Sequence, residues 1–235
     1  MDIEAAPFAR LARELSSYGD RAATVEAIAQ RAVGTLGCTR AAVARATSEG
    51  YNFEAATDTE VLPTIEHIAQ TTHQGPALTA LHDKTTVLMD DVAQETRWPE
   101  YCAQLAELTP VRSALVFYLE LDGVPLGVLA FYEDEPAWFT DDRIELGAVF
   151  ADHATVALAK AAEHDHAQNL AIALQTNRVI AEALGILMST YKINEHQAFD
   201  LLRLVSQHSN RKLRDIAADV ADTGTLPEPT SRLRS

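Results

Sequence analysis

The feature that most restricts this 235-residue chain is an absence: between Pro136 and Pro227 there is no proline. Proline lacks an N–H and clashes with the preceding helical turn, so a stretch without it leaves long helices open. Residues 144–188 are rich in alanine. They read as one nearly continuous helix of about 45 residues, roughly 70 Å long at 1.5 Å per residue. No single small domain buries a rod of that length. Its start is marked by Thr140, a capping residue, followed by Asp141 and Asp142 beside the positive end of the helix dipole.

Within that stretch Leu170, Leu174, Asn177, Ala181, Leu184 and Met188 step by four, three, four, three and four. This is the alternation of a coiled-coil seam. A homodimer through these six positions, parallel or antiparallel, is the expectation. A helix folded back on its own domain is the alternative.

Downstream, Asn194 and Gln197 stand three apart, the spacing of a capping box. Ala198, Leu201, Leu202 and Val205 then mark one helical face, and Leu213, Ile216, Ala217 and Val220 mark another after a break at Ser209-Asn210. Gly224 and Pro227 close the run. Three helices in about 55 residues make a minimal bundle with a marginal core, to which dimerisation through the first helix would add burial.

Ahead of the long helix the pattern differs. Residues 8–36 read as one or two helices broken near Gly19, and short β-leaning segments follow at 41–46, 51–56, 85–89, 113–121 and 126–132. The last two flank Asp122-Gly123, a dipeptide that accepts the positive φ of a tight hairpin turn. Helical stretches at 59–71 and 99–108 lie between strands. The order predicts an α+β chain, an α/β/α sandwich joined by the long helix to a C-terminal three-helix bundle. The expected divisions are a helical segment at 1–19, the sandwich at 20–160, the bundle at 161–226 and a tail at 227–235.

Charge divides at nearly the same place. The chain carries a net −15, of which residues 1–167 contribute −16 and residues 168–235 contribute +1. An acidic surface repels phosphate backbones, so only the C-terminal part is suited to nucleic acid. There Arg211, Lys212 and Arg214 fall within four positions, preceded by Ser206, Gln207 and Asn210. The start, MDIEAAPFARL, has no basic segment leading into an apolar run, and no uncharged run of 18 apolar residues occurs, so neither a secretory signal nor an ordinary membrane span is expected. Cys38 and Cys102 are too few for a disulfide framework. A cytoplasmic protein is the expectation.

Residues 169–224 closely resemble the ANTAR domain, an RNA-binding output module of bacterial response regulators. The resemblance is carried by AL at 173–174, NR at 177–178, GILM at 185–188, AFDLLR at 198–203, Ser206 and NRKLRDIA at 210–217. Residues 20–160 resemble the GAF sensor domain, a PAS-like fold, through HQGPALTAL at 73–81, ETRWPEY at 95–101, VRSALVFYLELDGVPLGVLAFY at 111–132 and FADHATVALA at 150–159. Together they imply a regulator that binds tandem hairpins in nascent messenger RNA and keeps transcription going past a terminator, under control of a sensor domain that could hold a nucleotide, a small metabolite or nothing. The resemblance implies RNA contacts from Arg178, Gly185, Ser206, Gln207, Asn210, Arg211, Lys212 and Arg214. Cations there neutralise phosphates, and amide and hydroxyl groups hydrogen-bond unpaired loop bases. Two positions depart from the family pattern: Leu184 stands where lysine is common, and Asn177 where serine often precedes the matched arginine.

Three rival readings fit parts of the sequence less well. RDIAADV at 214–220 resembles the first helix of a DNA-binding helix-turn-helix, but DTGTLPEPTSRLRS follows where a recognition helix is needed. A thiol reductase on the GAF fold would need neighbouring cysteines, and nothing places Cys38 and Cys102 together. His164 and His166, two apart on a helix, do not share a face, so no metal and no cofactor is expected. Trp98 and Trp138 are expected to anchor helices to the sheet.

Overall fold

Strands that are buried along most of their length must be covered on both faces. The computed structural model describes residues 14–15, 17–47 and 50–227 and divides into two units, Met1–Asp165 and His166–Ser235. The helical segment expected at 1–19 lies largely outside the described residues, as does the tail beyond Pro227.

In the first unit α1 (Arg21–Leu36) leads into β1 (Arg40–Thr47) and β2 (Gly50–Ala56), then α2 (Val61–Thr72), α3 (Pro76–Asp83), β3 (Val87–Met89), α4 (Pro99–Leu108), β4 (Ser113–Leu121) and β5 (Val124–Glu133). The five strands form one antiparallel sheet in the order β2-β1-β5-β4-β3. β4 and β5 meet around Asp122-Gly123, with Leu121 opposite Val124 and turn φ values of 51° and 79°, as the sequence predicts. At Gly127, φ is 136° and a Cβ would lie 2.1 Å from the Ala44 carbonyl oxygen, so the pairing of β5 with β1 requires glycine there.

Alternation along the strands sorts two cores. Ala41, Val43, Phe117, Leu129 and Phe131 pack with Ile28, Ala32 and Leu36 of α1 and with Phe150, Ala154 and Leu158 of the long helix. Ala42, Ala44, Val116, Val128, Ala130 and Tyr132 pack with Leu62, Ile65, Ile68, Ala80, Tyr101 and Leu105 from α2, α3 and α4. The sandwich is therefore α/β/α. α3 goes beyond the sequence reading, although Gly75 followed by proline at the first helical position is a signal for it.

The long helix α5 runs over Asp141–Tyr191, 51 residues. It contains an 18-residue stretch of mean hydropathy 1.3, of which 17% is buried, apolar enough by length and composition to cross a membrane. Charged residues interrupt the stretch, so a search for uncharged runs does not find it. Composition does not separate a helix face that meets lipid from one that meets another helix.

In the second unit the end of α5 packs with α6 (Glu195–Ser209) and α7 (Leu213–Thr223). Their shared core is Ala183, Leu184, Leu187, Ala198, Leu202, Ile216, Ala217 and Val220. The capping box forms: the Gln197 N–H donates to Asn194 Oδ1 at 2.9 Å, and the Asn194 N–H donates to Gln197 Oε1 at 3.0 Å.

Candidate nucleic-acid interface

The basic cluster sits on the turn between α6 and α7, and hydrogen bonds fix that turn. Asn210 ends α6 in the left-handed region at φ 52°, which asparagine tolerates, and its N–H donates to the Ser206 carbonyl. The Arg211 N–H reaches the same carbonyl at 3.3 Å, while Ser206 Oγ donates to the Arg211 carbonyl at 2.7 Å. The hydroxyl expected to read bases is thus engaged in closing the turn. Gln207, Asn210, Arg211, Lys212 and Arg214 are all exposed.

Two of the three cations have acidic partners on α7. Arg211 Nη1 lies 2.7 Å from Asp219 Oδ2, and Arg214 Nε lies 3.2 Å from Asp215 Oδ1. The hydrogen bond to Asp219 pushes the Arg211 guanidinium further up, so it is fully protonated at any ordinary pH. Among the described residues Lys212 has no ion pair. A phosphate arriving here meets one open ammonium and two guanidiniums it must draw from exposed carboxylates, which is inexpensive because exposed pairs are weak.

On α5, Arg178 and Gly185 are exposed and lie seven residues apart, so they face nearly the same way. Of the six residues expected to form a seam, Leu170, Leu174, Asn177, Ala181 and Met188 are exposed. Leu184 is a correction: it is buried with Ala183 and Leu187 in the bundle core. The expected seam positions and the core stripe border one another on this helix, and Leu184 stands where they meet.

In the first unit, Gly50, His73, Gln74, Thr79, His82 and Trp98 line a groove of about 520 Å³. Trp98 is anchored there, its Nε1 donating to Thr79 Oγ1 at 3.0 Å. Trp138 packs against the opposite core with the Arg143 guanidinium 3.8 Å above its ring. Tyr51, Tyr101 and Tyr132 are fully buried, and burial holds their hydroxyls well above the usual range. Among the described residues the hydroxyls of Tyr101 and Tyr132 have no hydrogen-bond partner. Cys38 and Cys102 belong to cores on opposite faces of the sheet, and burial pushes their thiols up to about 12 and about 11. Neither is a poised thiolate. Among the described residues no three His, Cys, Asp or Glu side chains are grouped to hold a metal ion.

Comparison with known proteins agrees with this division. The family model described as GAF domain matches residues 20–158, and that described as ANTAR domain matches residues 168–220. A search of curated proteins finds no match. Among solved structures, the GAF domain of a phosphoenolpyruvate-protein phosphotransferase from Acinetobacter is 11% identical, with a TM-score of 0.54, covering 72% of this chain and 98% of that one. The free methionine-R-sulfoxide reductase of Neisseria meningitidis is 16% identical at a TM-score of 0.51, covering 66% and 88%. The GAF domain of the cyanobacteriochrome TePixJ is 20% identical at a TM-score of 0.50, covering 63% and 94%. At such identities the likeness concerns the fold alone, including the likeness to the reductase.

Proposed function

The chain belongs to the GAF family and carries an ANTAR domain behind its sensor domain, and from that premise we propose that it is a cytoplasmic, homodimeric regulator that binds tandem hairpins in nascent messenger RNA. The bound hairpins form an antiterminator, and transcription continues past the terminator. The observation that carries this reading is the exposed turn of Gln207, Asn210, Arg211 and Lys212, with Arg214 just beyond it, on the one part of the chain free of net negative charge. Phosphates meet the cations, and unpaired loop bases meet the amides.

So few cations give each bundle modest affinity. Two bundles joined in a dimer raise it when both hairpins lie on one RNA, because the second engagement is intramolecular. A small-molecule effector, where one acts, would bind the sensor domain. α5 belongs to both units, so a change in its dimer packing reaches both RNA-binding turns.

Full-length protein is to be titrated with RNA bearing two stem-loops, with duplex DNA and unstructured RNA in parallel. The tandem stem-loops are expected to be retained, and replacing Arg211, Lys212 and Arg214 together by alanine to weaken retention at least about tenfold and flatten its salt dependence. Equal retention of duplex DNA, or no loss in the triple variant, rejects the reading.

A further inference from the structure

In the second unit α5 carries a stripe that its own bundle leaves bare. Leu170 and Leu174 are 53% and 61% exposed and Met188 is 37% exposed, and Ala167, Asn177 and Ala181, at the same four-three spacing, are exposed too. The stripe breaks at Leu184, which shares the spacing but is buried with Ala183, Leu187 and Leu202 in its own core. Halfway along it stands one amide, Asn177.

We propose that two copies of this chain pair through the stripe in parallel and in register, with Asn177 of each copy against Asn177 of the other; this rests on the homodimer reading above and fixes the orientation that spacing alone leaves open. The gap at Leu184 and the amide at Asn177 decide between orientations. In a parallel pair on a two-fold axis each stripe residue meets its own counterpart. Leu170 and Leu174 then each meet a leucine, and the two gaps coincide.

Antiparallel pairs do worse in each overlap that covers Leu170 and Leu174. Setting Leu170 against Met188 leaves Leu174 facing the gap at Leu184 and Asn177 facing Ala181. Setting Leu170 against Ala181 puts Asn177 on Leu174, and setting Leu170 against Leu174 puts it on Ala167. Each of these buries an amide against an apolar side chain, where its donors and acceptor are unsatisfied. A second asparagine satisfies it, because an amide carries both a donor and an acceptor. One polar residue at a seam position is a device by which paired helices hold a register at some cost in stability. The two turns of Arg211 and Lys212 then lie at one level along the pair.

The test uses full-length chains with single substitutions. Leu174→Cys is expected to form a disulfide-linked dimer under mild oxidation, since residue 174 meets itself in the parallel pair and in none of the antiparallel ones. The native Cys38 and Cys102 are buried and do not compete. Asn177→Asp and Asn177→Lys chains, mixed in equal amounts, are expected to pair with each other at least about tenfold more than with themselves, because like charges would otherwise face across the axis. Random pairing of the mixed chains overturns the register and leaves the homodimer standing. An equimolar mixture of Leu170→Cys and Leu174→Cys chains that yields mainly the mixed disulfide marks an antiparallel pair and overturns it likewise. A wild-type dimer that forms no disulfide at residue 170 or 174 meets through another face, which overturns it as well. A wild type that is monomeric by light scattering takes down both this proposal and the homodimer reading.

Discussion

Gly185 lies inside a 51-residue helix, where glycine costs about 1 kcal/mol relative to alanine. Among the described residues nothing asks for it, because a Cβ built there meets no atom within 4 Å beyond its own stretch of helix. Its exposed position on the side of Arg178 suits the close approach of an external backbone, the RNA of the proposed function. Gly185→Ala is therefore expected to move two measurements in opposite directions. The thermal midpoint rises by about 2–4 °C, while tandem stem-loop binding weakens. If both rise, or binding is indifferent, Gly185 is outside the interface. At this scale the sequence names the cations but not what holds them. Arg211 and Asp219 are eight residues apart and Ser206 and Arg211 five, separations that match no helical spacing because the chain turns between α6 and α7.

Among the elements, α2 owes its start to a residue outside it. Asp58 Oδ1 accepts from the N–H groups of Glu60, Val61 and Leu62 at 2.9, 2.5 and 3.3 Å, and Oδ2 lies 3.5 Å from Arg40 Nε. Partial burial pushes this carboxyl up, but the three N–H groups and the Arg40 charge outweigh it and hold it below the ordinary 3.8. A depressed carboxyl gives stability that is present above its unfolded value and lost as pH falls through the folded one. Asp91, held down by the Ala93 N–H and Arg112, and Glu95, held down by Arg97, act in the same sense. The thermal midpoint is thus expected to fall on acidification below about pH 4. Asp58→Asn keeps an acceptor and removes the titration, so its acid limb is shallower. An identical limb in both proteins assigns the acid sensitivity elsewhere. Asp58→Ala loses the acceptor as well and costs about 1–2 kcal/mol at neutral pH. Elements with local rules were legible: the Asp122-Gly123 hairpin, the Asn194 capping box and the helix behind Thr140. α3, eight residues long, shows too little periodicity to declare itself, and Leu184 reads as seam because its spacing fits two adjoining stripes.

For the whole molecule the open question is what covers α5. Leu170 and Leu174 are 53% and 61% exposed, and burying a leucine against a partner is worth about 1.5–3 kcal/mol. Two protomers meeting through Leu170, Leu174, Asn177, Ala181 and Met188 would cover this face and give the small bundles the partner their core lacks. Leu170→Glu with Leu174→Glu places like charges across such a seam without touching the bundle core. Light scattering is expected to show the wild type as a dimer and the double variant as a monomer with its helical content kept. Its binding to a single stem-loop should hardly change, since the turn of Arg211, Lys212 and Arg214 is intact. Binding to two linked stem-loops should drop by about a hundredfold, the low end of what linkage supplies. If the double variant stays dimeric, the partner sits on another face. If it becomes monomeric yet binds linked stem-loops as tightly as the wild type, the dimer is not the source of avidity, and one bundle must engage both hairpins in turn.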